Sequence, residues 1–392
     1  MLAYTPYERD NRVRRYAEAL AKRGDQVDVL GLYSEHSEGD PPLVRMNGVN
    51  VYRLQHREHN ETSKWTYAWR LLRFTLAASR TVARMHKENN YDLVHIHNMP
   101  DFLVFAAWYP KMKGAKLILD IHDLVPELFE SKFKTRLAPC YIWGLKTLER
   151  AAARFVDHVI VANELWFPTV TGRSVPEERC SVTMNLVDLD IFSKHPRTRT
   201  DDKIVVLFPG SLQWHQGVDL AIHALVDLKK TVPYAEFHIY AGSGDKRESL
   251  RELVRDLHLE TSVKFYDGVS LDEMPAVMAN ADIGIVPKRA DGFGNEAYST
   301  KIMEFMSQGV PVVVSRTRVD AHYFEEGTVH FFPPGDSRAL ARAMLDVIDS
   351  KQLRDTLTAN GYKYCEKYNW SEKKNEYLNL VDRLTRANEA AG

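Results

Sequence analysis

The chain alternates short apolar runs with longer stretches in which apolar residues recur every three or four positions. In the first half the short runs are "QVDVLGLY" (26–33), "VNVYRLQ" (49–55), "DLVHIHN" (92–98), "AKLILDIH" (115–122), "DHVIVAN" (157–163) and "CSVTMN" (180–185). The second half repeats the theme with "KIVVLFPG" (203–210), "AEFHIYAG" (235–242), "SVKFYDG" (262–268), "ADIGIVP" (281–287), "VPVVVS" (310–315) and "TVHFFPP" (328–334). Such near-continuous apolar runs predict strands buried on both faces, hence parallel sheets covered by helices. Helical spacing fills most of the gaps. "RVRRYAEALAKRG" (12–24) ends at Gly24, and "TYAWRLLRFTLAASRTVARMHKEN" (66–89) is longer. Between the halves, "SKHPRTRTDDK" (193–203) is polar, charged and proline-bearing, and reads as a linker.

The expectation is an α/β protein of two Rossmann-like, doubly wound domains, at 1–192 and 203–370. A surface helix over 371–392 follows, free to pack back on the first domain. Only "LAY" precedes the first helix, which is short for a central strand; either that strand is truncated or the start is late. Ligands of doubly wound sheets lie beyond the carboxyl ends of the strands, so two facing domains predict a site in the cleft they form.

Totals narrow the class. A length of 392 residues exceeds one ordinary core and suits two domains. Lysine plus arginine number 52 against 53 acidic residues, so no global field calls for nucleic acid. Cys140, Cys180 and Cys365 lie far apart, which argues against a disulfide framework or a zinc ribbon and for a reducing cytoplasm. No apolar run approaches the ~18 residues that span a bilayer. The opening "MLAYTPYERDNRVRR" has no signal-peptide core.

The chemistry concentrates in "KRADGFGNEAYSTKIMEFMSQGVPVVVS" (288–315). Ser299 or Thr300 can cap a helix that Gly309 stops and Pro311 keeps from continuing. Ile302, Met303, Phe305 and Met306 share one arc of about 160°, which predicts a core face. Lys301 and Glu304 fall opposite. A lysine in the first turn opposes the helix dipole unless an anion binds there. The spacing also fits a plain surface ion pair of about 0.2–0.5 kcal/mol, with Glu296 an ordinary loop residue.

Other constellations are weaker. His95 and His97 share one strand face, but without a nearby carboxylate or cysteine cluster they do not predict a metal. Asp188 and Asp190 form an Asp-x-Asp that reads as structural. "YAGSGD" holds Gly242 and Gly244 without a full dinucleotide fingerprint, since Lys246 and Arg247 stand where the third glycine belongs. His122 sits at the carboxyl end of a predicted strand, followed by Glu127 after Pro126. The long helix carries Trp65, Tyr67 and Trp69 with Arg70, Arg73, Arg80 and Arg84, a composition compatible with an anionic membrane surface or with ordinary packing.

The Glu, seven residues, Glu spacing of Glu296 and Glu304 resembles the signature of family-4 retaining glycosyltransferases, which have the GT-B fold. Segments such as "YDLVHIHNMPDFLVFAAW", "LILDIHDLVPELF", "LFPGSLQWHQGVDLAIHAL" and "VKFYDGVSLDEMPAVMANADIGIVP" resemble that family in the expected order, over nearly the whole chain. The resemblance implies a nucleotide-sugar donor, a glycan or lipid-linked acceptor, and no metal or other cofactor. It implies a setting in bacterial surface polysaccharide or lipopolysaccharide assembly, in the cytoplasm or at the inner face of its membrane. Glu296 would meet hydroxyls of the donor sugar and Glu304 the ribose diol. The backbone of Glu296, Ala297, Tyr298 and Ser299 would approach the diphosphate, with Lys301 on the leaving phosphate. Glu296, His122 and Lys301 form the implied catalytic set. Gly210 lets the backbone near a phosphate, Gly242 and Ser243 border the nucleotide, and Gly268 and Val269 face the base. Relatives often carry an arginine and a lysine where this chain has Ser211 and Gln216; Lys288, Arg289 and Lys301 are the candidates to compensate. A nucleotide-sugar epimerase of the same architecture, or a degenerate non-catalytic nucleotide-sugar-binding subunit, are the alternatives.

Overall fold

The computed structural model describes residues 1–33, 39–56, 64–132, 138–242 and 245–389. The chain forms two compact units, one of Met1–Asn185 with Lys373–Gly392, the other of Leu186–Glu372.

The first unit is built on β1 (Leu2–Pro6), β2 (Asp28–Tyr33), β3 (Leu43–Met46), β4 (Val49–His56), β5 (Leu93–His97), β6 (Lys116–Ile121), β7 (His158–Val161) and β8 (Cys180–Val182). Their order across the sheet is β3-β4-β2-β1-β5-β6-β7-β8. All neighbours run parallel except β3, which pairs antiparallel with β4. The short β1 is central: Leu2 sits in register with Leu30 on one side and Ile96 on the other. The helix Asn11–Arg23 follows it. Asp10 caps this helix by accepting from the amides of Arg12 and Val13, both at 3.1 Å. Gly24 ends it in the left-handed region at φ 105°. The helix Trp370–Glu389 belongs to this unit from Lys373 onward. Its Tyr377 is buried with the hydroxyl 2.9 Å from His95 Nδ1, and its Asp382 pairs with Arg23 at 2.7 Å. A cavity of about 530 Å³ opens at the amino edge of this sheet, lined in part by Arg23, Asp28 and Tyr91. It lies at the opposite edge from the strand end that carries His122.

The second unit contains β9 (Ile204–Pro209), β10 (Ala235–Tyr240), β11 (Val263–Tyr266), β12 (Ile283–Val286), β13 (Val312–Ser315) and β14 (His330–Phe332). All six are parallel, in the order β11-β10-β9-β12-β13-β14. Phe208, Ile239, Ile285 and Val313 of these strands are buried with Ile222 and Leu225 of the helix Val218–Leu228. Burying a side chain of this size is worth roughly 1.5–3 kcal/mol. The direction of winding reverses between β9 and β12, which makes their carboxyl ends the topological switch point of the sheet.

Residues 193–203 are irregular, but they do not hang free. Gln308 donates to the carbonyls of Phe192 and Ser193 at 3.2 and 3.1 Å and accepts from the His195 amide at 3.0 Å. Asn280 accepts from the amides of Thr198 and Arg199 at 2.9 and 2.8 Å. The segment expected as a linker is thus strapped to the second unit by two amide side chains.

Candidate functional site

Two loops meet at the switch point of the second sheet. The loop after β9 leaves through Gly210, at φ 136°, and enters the helix Val218–Leu228 through Gly217, at φ 66°. A Cβ on Gly217 would stand 1.9 Å from the Pro287 carbonyl oxygen, so only glycine lets this loop seat against the loop after β12. The Arg289 amide donates to the His215 carbonyl at 2.9 Å and closes the same contact.

The helix Lys301–Ser307 rises from the second loop. Ile302, Met303, Phe305 and Met306 are buried, as their arc predicts. Thr300 occupies the cap position without a side-chain capping bond. The Lys301 ammonium turns toward the first loop. It donates to Gln216 Oε1 at 2.8 Å, lies 4.4 Å from the Phe208 ring centre, and approaches to 3.0 Å the point where Gly210 would carry a Cβ. No ion pair joins it to Glu304, so the idle surface pair that spacing allows is not formed. Instead one cation is held against glycine backbone at the mouth of a parallel sheet.

Electrostatics sharpen this spot. Burial pulls the Lys301 pKa down to about 8; Glu304 opposes the shift and Lys288 adds to it. Burial pushes Glu304 up to about 7, with Lys301 and the Thr300 hydroxyl opposing. Both side chains keep some solvent exposure yet are densely surrounded by protein atoms. Desolvation therefore dominates both. Ser299 adds a buried hydroxyl oxygen with no protein partner at the start of the same helix.

The loop before the helix corrects several expectations. The amides of Glu296 and Ala297 donate to the Phe293 carbonyl at 3.1 and 2.9 Å. Of the four amides assigned to a diphosphate, those of Tyr298 and Ser299 are the ones the loop leaves unused. The Tyr298 side chain packs inward, its hydroxyl 3.0 Å from Met303 Sδ. Lys288 is not a phosphate ligand in waiting. It is buried, pairs with Asp320 at 2.8 Å and donates to the Ala297 carbonyl at 2.7 Å. It fastens the loop from beneath. Arg289 is likewise engaged, bidentate to Asp219 at 2.9 and 2.6 Å and 3.4 Å above the Trp214 ring. Lys301 alone of the three compensating cations remains beside Gly210. The Glu296 carboxylate pairs with Arg318 at 2.9 Å, a partner 22 residues away that sequence spacing gave no reason to choose.

The loops after β10 and β11 converge next to this spot. A Cβ on Gly268 would lie 3.9 Å from the Gly242 amide nitrogen. Gly242 and Gly268 are exposed and Val269 is half-buried. Arg247, one of the two residues replacing the third glycine, ties both loops by donating to Asp267 at 2.6 Å and to the Ala241 carbonyl at 3.4 Å. Ser243 lies outside the described residues. Ser211 is exposed on the first loop.

His122 belongs to the first unit, immediately after β6. Its Nε2 is 3.0 Å from Asp120 Oδ2 and 3.1 Å from His97 Nδ1. Asp120 is fully buried and held bidentately by Arg12, at 2.7 and 2.6 Å. The expectation that His95 and His97 lack a carboxylate partner fails. β5 and β6 pair with His97 opposite Asp120, so the carboxylate comes from the neighbouring strand. His95, His97 and Asp120 are close enough to hold a cation. However, the Arg12 guanidinium already neutralises that carboxylate through both oxygens. Glu127 pairs with Arg173 at 2.5 Å, and Asp188 turns back on the Asp190 amide at 3.0 Å, both structural roles.

Comparison with known proteins agrees with this geometry. Residues 10–185 match the model of a glycosyl transferase 4-like domain, and residues 190–364 that of glycosyl transferases group 1. The phosphatidyl-myo-inositol mannosyltransferase of Mycobacterium leprae is 25% identical over 95% of this chain and 92% of its own length. Among solved structures, the sucrose-phosphate synthase of Thermosynechococcus elongatus superposes with a TM-score of 0.78 at 19% identity, covering 96% of this chain and 93% of its own. Anabaena HepE in complex with UDP and glucose gives 0.74 at 17% identity, covering 97% and 98%. With both halves matched and both sheets wound as described, the chain belongs to the group 1 glycosyltransferases of the GT-B fold.

Proposed function

We propose that the protein transfers a sugar from a nucleotide-sugar donor to a hydroxyl of a glycan or lipid-linked acceptor, with retention of configuration and without a metal ion. The observation that carries this reading is Lys301, whose ammonium is held by Gln216 against Gly210 at the switch point of the second sheet. A diphosphate seated there meets a cation, the amides of Tyr298 and Ser299, and the unpartnered Ser299 hydroxyl. Gln216 accounts for the missing basic residue of the first loop, because it orients a lysine supplied by the second. Glu304, one helical turn on, accepts from the ribose diol, and Gly242, Gly268 and Val269 line the nucleotide side. Glu296, steadied by Arg318, receives hydroxyls of the transferred sugar. His122 is assigned to a hydroxyl of the reacting sugars. The leaving diphosphate departs toward Lys301 while the acceptor oxygen attacks the same face of the sugar.

Family relatives support a donor of this class: HepE is described in complex with UDP and glucose. The test is a thermal-shift panel of UDP-, GDP- and ADP-sugars followed by a transfer assay. A donor at 100 times its Kd should stabilise by about 2.7 kcal/mol. Glu296→Gln should keep that shift and lose most turnover. No response to any donor, or full turnover in the variant, refutes the assignment.

The acceptor side has its own support. The helix Lys64–Asn89 turns Trp69, Leu72, Arg73, Leu76 and Arg80 to solvent within a stripe of about 100°. Exposed aromatic and aliphatic groups interleaved with arginines suit the headgroup zone of an anionic bilayer, where a lipid-linked acceptor resides. Among the described residues no helix is long and apolar enough to cross a membrane. The protein should co-sediment with phosphatidylglycerol vesicles and not with phosphatidylcholine, and Trp69→Ala with Leu76→Ser should release it. Equal recovery with both vesicles, or with neither, counts against this surface.

A further inference from the structure

We propose that Asp120, braced by Arg12, is a positioning residue that fixes the tautomer of His122 and so presents its Nδ1 as a hydrogen-bond acceptor for a sugar hydroxyl. The inference rests on the transferase reading for its purpose, but its geometry stands alone.

The argument begins with a charge in an apolar strand. Asp120 lies mid-sheet, fully buried, in a run that is otherwise aliphatic. Burial alone would raise its pKa, yet Arg12, His122 and His97 together hold it well below the usual carboxylate range. It is therefore an anion, able only to accept. Arg12 fills Oδ1 through Nη2 and reaches Oδ2 through Nε. Oδ2 then faces two further nitrogens, His97 Nδ1 at 3.2 Å and His122 Nε2 at 3.0 Å.

The neighbouring rings decide the protons. Burial drives His97 down to about 4, with Asp120 opposing, so at neutral pH it carries one proton. Its Nε2 is buried and without a partner. A proton there would be an orphaned donor, so it sits on Nδ1 and points at Asp120. His95 is held neutral by burial and bonds Tyr377 through Nδ1. With His97 donating, His122 Nε2 has two neighbours, an anionic oxygen and a ring nitrogen that already bears hydrogen. An unprotonated Nε2 would set its lone pair against the anionic Oδ2 at 3.0 Å, the shorter of the two contacts, so Nε2 carries hydrogen and donates to Asp120. The proton of neutral His122 is thus on Nε2, and Nδ1 keeps its lone pair. No hydrogen bond among the described residues uses that Nδ1, and the side chain is 20% exposed. Asp10, capping the helix that carries Arg12 and Tyr16, Arg15 of the same helix and the Met1 ammonium are further charged groups acting on this cluster.

Histidine-selective 15N labelling of the full chain, with long-range imidazole correlations read near pH 8, tests this directly. His122→Gln assigns the signal. The expected result is protonated Nε2 and unprotonated Nδ1, giving way in Asp120→Asn to mixed tautomers. A wild-type proton on Nδ1 overturns the proposal without any variant having to fold. Asp120→Asn should also lower kcat at least tenfold with little change in donor KM. A variant that keeps the wild-type tautomer and is only less active would mean that Asp120 is purely structural. If the wild type shows no transfer at all, the functional reading fails, while the tautomer still decides this one.

Discussion

Lys301 and Glu304 are opposite charges placed where both lose solvent, one pulled down to about 8 and the other pushed up to about 7. The free enzyme holds the useful pair, ammonium and carboxylate, mainly between those values. Transfer measured as kcat/KM should therefore follow a bell over this interval, and its limbs belong to the pair rather than to either residue. Stability runs the other way for Glu304. Its folded pKa lies above the unfolded one, so its contribution is complete below about 4.5 and is lost as pH rises through about 7. Glu304→Gln should then raise the unfolding free energy at pH 8 by on the order of 1 kcal/mol or more, and the Tm with it, while weakening donor binding. A variant less stable than wild type at pH 8 would mean that the carboxylate is compensated by contacts other than those described.

At the scale of elements, the two donor-side loops act as one because a glycine lets them touch. Gly217→Ala meets both a left-handed backbone and the Pro287 carbonyl at 1.9 Å. It should cost more than about 1 kcal/mol in urea denaturation and, more tellingly, should cost donor affinity, since Gln216 moves with the loop. Unchanged affinity would mean that Lys301 finds its place without this contact. Much of this scaffold is legible in the sequence, because strands buried on both faces leave unbroken apolar runs. All twelve such runs contain strands. What escapes is physically of another kind. β3 is an edge strand with alternate residues exposed, and β1 is central but shows only a few apolar letters. Lys288 and Arg289 read as free cations because their partners, Asp320 and Asp219, are 32 and 70 residues away. Asp120 stands inside the aliphatic run "AKLILDIH" (115–122) and is passed over when that run is read as a strand. Its meaning waited on Arg12, 108 positions earlier.

For the whole molecule, the two units are not two halves of the sequence. The second is continuous, Leu186–Glu372, whereas the first needs Lys373 onward. Tyr377 packs against Tyr16 with ring centres 4.3 Å apart and planes tilted by 41°, and bonds His95, while Asp382 holds Arg23. Residues 186–372 expressed alone should give a cooperative unfolding transition. Residues 1–185 alone should not, until a peptide of residues 370–389 is added in trans. A stable, cooperative 1–185 fragment would show that the last helix is ornament to that unit.

The same helix sets an order of manufacture. A ribosome delivers residues 1–185 first, yet the helix that completes their core emerges only after the whole second unit. The unit begun second can close while the first still exposes Tyr16, His95 and the neighbouring apolar surface. Domains usually fold as they leave the ribosome, amino-terminal first; here the first unit has to wait for residues from Lys373 onward, made after the second. Its yield in a cell should accordingly depend on elongation speed and on chaperones that hold open chains, to a degree the stability of the finished protein would not reveal.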